Sequence, residues 1–188
     1  INNFISNSNH ETPPKILNLF GYSGLASLHA ASNGASVTHI DASKKAINFA
    51  FENRDLSNLS KAPIKYLTDD AMKFVNREIR RNNKYDAIIL DPPKYGRGPN
   101  GEKWEISKDL PILLNLLPKI LSDKPLFVIL NSYAIRSSCL SLHYLLKEVM
   151  EGYNGNCECG EISIIEEQVQ PRQISTAIFA RWESKFFS

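Results

Sequence analysis

Ile16-Leu17-Asn18-Leu19-Phe20-Gly21-Tyr22-Ser23-Gly24 is the stretch on which the fold turns. A short, largely apolar run from Ile16 to Phe20 breaks at a Gly-Tyr-Ser-Gly turn. A helical pattern then runs from Leu25 to Asn33 and stops at Gly34. Strand, glycine turn and helix in that order form the opening unit of an alternating α/β chain.

The unit recurs outward from there. Val37 to Ile40 reads as a second strand ending at Asp41, and Ser43 is placed to cap a helix carrying Ala46, Ile47, Ala50 and Phe51. Ile64 to Leu67 is a third strand, with Ala71 to Arg81 helical after it. Tyr85 to Leu90 is a fourth, whose run Ala87-Ile88-Ile89-Leu90 suits a strand buried on both faces. A loop from Asp91 to about Glu105 leads to a leucine-rich helix, Leu110 to Leu121. Leu126 to Leu130 and Ser138 to Met150 supply the fifth strand and helix. The alternation then stops, and Glu161 to Ile165 and Ser175 to Ala180 read as two strands joined by a turn-rich link. Five strand–helix alternations predict right-handed crossovers and a mostly parallel, doubly wound sheet. The closing hairpin predicts one antiparallel strand near the C-terminus. Residues 1–15, rich in Asn, Ser and Pro, read as an arm or linker, and 16–188 as one domain.

Composition sets the outer bounds. With 188 residues, 43% hydrophobic and 22% charged, the chain suits one globular domain with a sizeable core and neither a disordered nor a fibrous class. A net charge of +2 permits a nucleic-acid partner without arguing for one. Three cysteines make no disulfide framework and indicate a reducing, cytoplasmic setting. Cys157-Glu158-Cys159 lacks a second ligand pair, and His10, His29, His39 and His143 are scattered, so no metal is expected. No apolar run reaches the ~18–20 residues of a membrane span, and no leader pattern opens the chain.

In a doubly wound sheet, ligands sit beyond the carboxyl ends of the strands, so the residues just after each strand carry the chemistry. Gly21-Tyr22-Ser23-Gly24 allows a tight turn and close approach of a ligand at a helix N-terminus, although a plain structural turn reads equally well. Ser23 and Ala26 stand where a dinucleotide fingerprint asks for its second and third glycines, which disfavours close pyrophosphate packing. Asp41, twenty residues after Gly21, is placed to accept ribose hydroxyls, or else to face the following helix dipole. Asp69 and Asp70 follow the third strand. One of them is expected to cap the helix while the other faces the cleft. The fourth strand runs into Asp91-Pro92-Pro93-Lys94, where prolines without N–H groups leave carbonyl acceptors beside a carboxylate. Such a cluster orients an amino group and favours positive charge developing on its nitrogen, so Asp91, Pro92, Pro93 and Lys94 form the candidate catalytic loop.

Together these stretches, with Val37 to Ala46, Ala50 to Asn53, the Asp91-to-Glu102 loop and Ala177 to Trp182, resemble the class I methyltransferases, and within them the ribosomal-RNA large-subunit methyltransferase-like group. The resemblance covers most of residues 15–183. It implies a Rossmann-like seven-stranded sheet in the order 3-2-1-4-5-7-6 and S-adenosylmethionine as methyl donor, with S-adenosylhomocysteine as product. It also implies that Phe20, Gly21, Tyr22, Ser23 and Gly24 hold the methionine and ribose side. Asp41, with Ala42 and Ser43, would take the ribose hydroxyls, Asp70, with Ala71, the adenine amine, and Asp91 the region of the methyl group. Asn53 matches a position that secures the loop. Relatives that methylate carbon 5 of cytosine use a Cys nucleophile after the fourth or fifth strand. This chain has Asn131-Ser132-Tyr133 there, with Cys139 further on at a position read as core, so a base nitrogen is the expected acceptor.

The expected function is therefore methylation of a base in RNA, ribosomal by resemblance. Tyr95 would stack on an extruded base, and Arg97, Lys103 and Arg136 would join Lys94 at the mouth as phosphate contacts. A solvated basic rim is the plainer reading of those charges. The alternatives are a protein or small-molecule methyltransferase, a non-catalytic RNA-binding relative, and a nucleotide-dependent oxidoreductase.

Overall fold

The computed structural model describes residues 12–133, 135–167 and 171–185. Most of the expected N-terminal arm, residues 1–11, lies outside them, and the first strand begins at Lys15. In chain order, β1 (Lys15–Leu19), α1 (Leu25–Ser32), β2 (Ser36–Asp41), α2 (Lys44–Leu56), β3 (Ile64–Thr68), α3 (Ala71–Arg80) and β4 (Ala87–Leu90) repeat the strand–helix unit. There follow β5 (Tyr95–Arg97), β6 (Lys103–Glu105), α4 (Ile106–Leu116), β7 (Phe127–Ser132), α5 (Cys139–Val149), β8 (Gly155–Ile165) and β9 (Gln173–Ser184). The main sheet has seven strands in the order β3-β2-β1-β4-β7-β9-β8. All its neighbours among the first five pair in parallel, whereas β9 runs antiparallel to both β7 and β8. The fold is the expected doubly wound α/β sheet with one reversed strand.

Burial follows the pleat. Leu17, Leu19, Ile88, Leu90, Val128 and Leu130 face one way and pack with Phe74 of α3, Leu113 of α4 and Leu146 of α5. Ile16, Ala87, Ile89 and Phe127 face the other way, onto Ala30 and Ala31 of α1. The small residues of α1 let that helix lie close to the sheet. Each fully buried Leu or Ile contributes roughly 1.5–3 kcal/mol, so the central strands anchor the molecule and leave their exposed ends for chemistry. No helix among the described residues is long and apolar enough to cross a membrane.

Four expectations need correction. Phe20 does not extend the first strand: it turns left-handed at φ 58°. The stretch read as a loop from Asp91 to Glu105 contains the β5–β6 hairpin, paired Tyr95 to Glu105 and Arg97 to Lys103. The following helix starts at Ile106 rather than Leu110, because the Asp109 carboxylate reaches back to accept the Glu105 N–H at 2.6 Å and closes the first turn. The last two strands are about twice their expected length. Only Ile178 to Glu183 of β9 lies against β7, and beyond it the β8–β9 ribbon projects with Ile162, Ile164 and Ile174 exposed.

Candidate functional site

At the carboxyl ends of β1, β2, β3 and β4 lies a cleft of about 500 Å³. Of the turn after β1, Phe20 and Tyr22 line it, whereas Gly21, Ser23 and Gly24, expected to hold the cofactor, lie behind them. Phe20, Tyr22 and Gly24 all adopt positive φ, and the Gly21 N–H donates to the Ile40 carbonyl at 3.0 Å, stitching the turn to β2. Two non-glycine residues in the left-handed region within three positions store strain at one turn, a pattern that clusters at functional sites. The turn is held from outside as well. Asn53 donates from Nδ2 to the Ser23 carbonyl at 2.9 Å, which is the loop-securing role expected of it.

Asp41 is the hinge between two loops. Its Oδ2 accepts the Tyr22 N–H at 2.9 Å, and its Oδ1 accepts the Ser43 N–H at 2.8 Å. Ser43 in turn caps α2, accepting the Ala46 N–H at 3.3 Å. Both carboxylate oxygens are thus oriented by backbone, with remaining lone pairs toward the cleft that Asp41, Ala42 and Ser43 line.

One of the paired acids after β3 caps the helix and the other lines the cleft, as expected, but the cap is Asp70, the residue assigned to the adenine. Asp70 caps α3, its Oδ1 accepting the Lys73 N–H at 2.9 Å, and Asp69 is ion-paired with Arg77. Both nevertheless line the cleft beside Ala71, and the second oxygen of Asp70 has no partner among the described residues.

Asp91 faces the same cleft after β4 and makes no side-chain hydrogen bond among the described residues. The protein packed around it raises its carboxyl above the usual carboxylate range. Pro92 is buried, and the Pro93 carbonyl, expected to be free toward the ligand, accepts the Trp104 indole N–H at 2.7 Å. That bond fastens the Pro-Pro loop to β6. Trp104 itself is buried against Phe20, with ring centroids 4.8 Å apart, and completes the cleft wall with Tyr133 from the end of β7.

Under the turn sits a residue that the sequence did not single out. His39 is fully buried, its Nδ1 within 2.9 Å of the Ser27 hydroxyl, which accepts from Asn18 Nδ2 at 2.8 Å. Burial, opposed by the nearby Asp41 charge, lowers its pKa to about 4, so the ring is neutral at pH 7. A Cβ on Gly21 would stand 2.3 Å from His39 Cε1. Gly21 is therefore required by the histidine beneath it, and no close ligand approach is needed to explain it. No spacing rule exposes such a pair, because the contact is made across two strands. Trp104 and Tyr133 were more legible: the first lies in an alternating Lys-Trp-Glu run, the second stands immediately after a strand.

Of the residues expected at the mouth, Arg97 lines the cleft, whereas Lys94, Tyr95 and Arg136 line a separate cavity behind the β5–β6 hairpin. Lys103 lines neither. Cys139 is half-buried in the first turn of α5 rather than in the core, and neither it nor Cys157 or Cys159 lines the cleft.

Among the described residues, four carboxylates against one guanidinium without an ion pair, Arg97, give the cleft an acidic character. It accepts hydroxyls, amines and cationic centres readily and would repel a diphosphate. Among the described residues, the start of α1 has neither a side-chain cap nor an acid in its first turn, which suits its N–H groups to a carboxylate.

Known proteins share this architecture. An S-adenosylmethionine-dependent methyltransferase from Agrobacterium tumefaciens is 48% identical and superimposes with a TM-score of 0.93, over 98% of this chain and 59% of that one. A magnesium protoporphyrin IX methyltransferase from Synechocystis, solved with S-adenosylmethionine bound, shares the fold at 14% identity and a TM-score of 0.55, over 92% and 71% of the two chains. The ribosomal RNA large subunit methyltransferase K/L of Shewanella frigidimarina is 37% identical over 119 residues, 62% of this chain. The chain spans about a sixth of that relative's length, 16%. The model of the family described as conserved hypothetical protein 95 matches residues 2–105. With the methyltransferase fold on the page and that match over more than half its length, the chain belongs to the conserved hypothetical protein 95 family.

Proposed function

We propose that the cleft binds S-adenosylmethionine and that the protein transfers its methyl group to a base nitrogen of ribosomal RNA in the cytoplasm. The observation that carries the reading is the acidic cleft with Asp41 fixed at both oxygens by backbone. Ribose hydroxyls suit Asp41, the adenine amine suits the unpartnered oxygen of Asp70, and the amino-acid carboxylate suits the uncapped start of α1. The sulfonium of the donor supplies an electrophilic methyl and a good leaving group. The chain has only to orient the attacking nitrogen, which the Asp91 carboxylate does by accepting its N–H and favouring the positive charge that develops there. Pro92 and Pro93 hold that loop rigid, and Trp104 anchors it through the Pro93 carbonyl.

The ribosomal substrate rests on the Shewanella relative's name, and the donor on the Agrobacterium relative's. Incubation with methyl-labelled S-adenosylmethionine and bulk ribosomal RNA from a strain lacking the protein should label the RNA on a base nitrogen, read by mass spectrometry of digested nucleosides. Label on protein or small molecules alone would move the substrate to another class. Recovery of NAD instead of an adenosyl compound from the purified protein would sink the donor assignment.

A further inference from the structure

Behind the β5–β6 hairpin is a second cavity of about 360 Å³ that the cleft does not include. The two share walls. Pro93 faces the cleft while the next residues, Lys94 and Tyr95, face the second cavity, and Gly96 and Arg97 return to the cleft. At the end of β7 the same division recurs, with Tyr133 on the cleft side and Ile135 and Arg136 on the other. Two successive groups of one extended ligand would therefore straddle a partition only one strand thick.

The second cavity is shaped for a flat apolar ring attached to an anion. Ile106, Leu110, Leu142 and Leu145 line its interior. Tyr95 stands at the mouth, 65% exposed, with the Lys94 ammonium 5.5 Å from its ring centre. Neither Lys94 nor Arg136 is in an ion pair among the described residues, and the one acid of the lining, Glu105, is already bound by Lys108. Free cations around an aromatic and aliphatic slot make the combination that holds a single-stranded nucleic acid, with the base stacked and the phosphate at the rim.

We propose that this cavity seats the base of the nucleotide adjoining the one methylated, with Arg136 and Lys94 on the intervening phosphates. This rests on the RNA reading of the main cleft and adds a second base-binding subsite to it. The pairing of two subsites across the hairpin means that RNA is engaged unstacked and single-stranded.

The test uses two labelled single-stranded probes, hexaadenylate and the same oligomer with abasic riboses at alternate positions, with S-adenosylhomocysteine present. The parent protein should bind the intact oligomer about tenfold more tightly. Ser141 is an exposed residue of the cavity lining, so Ser141→Trp should fill the slot without disturbing the core and remove that preference while cofactor affinity is unchanged. Arg136→Ala should weaken both probes and make the salt dependence of binding shallower by roughly one phosphate contact, which a merely structural arginine would not do. A base preference that survives Ser141→Trp, or is absent from the parent, overturns the subsite. Methyl transfer to bulk ribosomal RNA, measured alongside, separates the failures. Transfer with no base preference retires the cavity alone, and no binding of either probe with no transfer retires the RNA reading with it.

Discussion

Asp41, tied at both oxygens by the Tyr22 and Ser43 N–H groups, both orders the loops and meets the ligand. Asp41→Ala should weaken S-adenosylmethionine binding by about 1–3 kcal/mol, and calorimetry showing unchanged affinity in a folded variant would reject the ribose assignment. Asp91 should behave otherwise, because its interaction strengthens in the transition state. Asp91→Asn should cut single-turnover methyl transfer far more than cofactor affinity, and turnover within about threefold of the parent would mean a barrier change under ~1 kcal/mol and no orienting role. Its carboxyl is raised by burial, so ionisation opposes folding: stability is greatest with the acid protonated and falls as pH rises through the folded pKa. Asp91→Asn should therefore melt no lower than the parent at pH 7.5, and any advantage should shrink toward acid pH in a melting-temperature series. His39 is the opposite case, a base whose pKa is depressed to about 4 against an ordinary 6.5. The unfolded chain binds the extra proton between those values, so stability is full above pH 6.5 and declines toward pH 4. His39→Gln should flatten that slope in a melting-temperature series. The Asp residues were legible because each stands at the end of a strand or within two residues of it. The buried His39 under Gly21 was not, because its role is set by a contact between side chain and backbone across strands rather than by any spacing.

The β5–β6 hairpin is the element that sequence periodicity missed. Its strands are three residues each, too short for an alternation to stand out, and prolines and glycines in the same stretch read as loop. The helix start at Ile106 escaped for a related reason, since Asp109 caps from within a turn that lies outside the expected helix. The hairpin nonetheless fixes the catalytic loop through one bond, from the Trp104 indole to the Pro93 carbonyl. Trp104→Phe keeps an aromatic ring near Phe20 but removes the donor and part of the buried ring volume. The expected outcome is a stability loss of about 1–3 kcal/mol by urea denaturation, with turnover lowered while affinity for S-adenosylmethionine holds. Equal loss of affinity and turnover would show that the hairpin shapes the cofactor side as well.

At the scale of the molecule, the sheet was readable because each central strand is a short run of aliphatic residues and each crossover a helix of ordinary length. The strand order itself came from family resemblance, since periodicity says that strands exist and not which lie side by side. The place of β9 has a further consequence. It follows β8 in the chain yet lies between β7 and β8 in the sheet, so β8 has no edge to join until β9 has been made. On a ribosome, the strands that bear the cleft, β1 to β4 and β7, can settle first. The eleven residues of β8 must then wait as an unpaired segment with the edge of β7 still open. Synthesis of the stretch from Gln173 to Ser184 is the event that closes the sheet, and a pause before it would leave the nascent protein at its most adhesive.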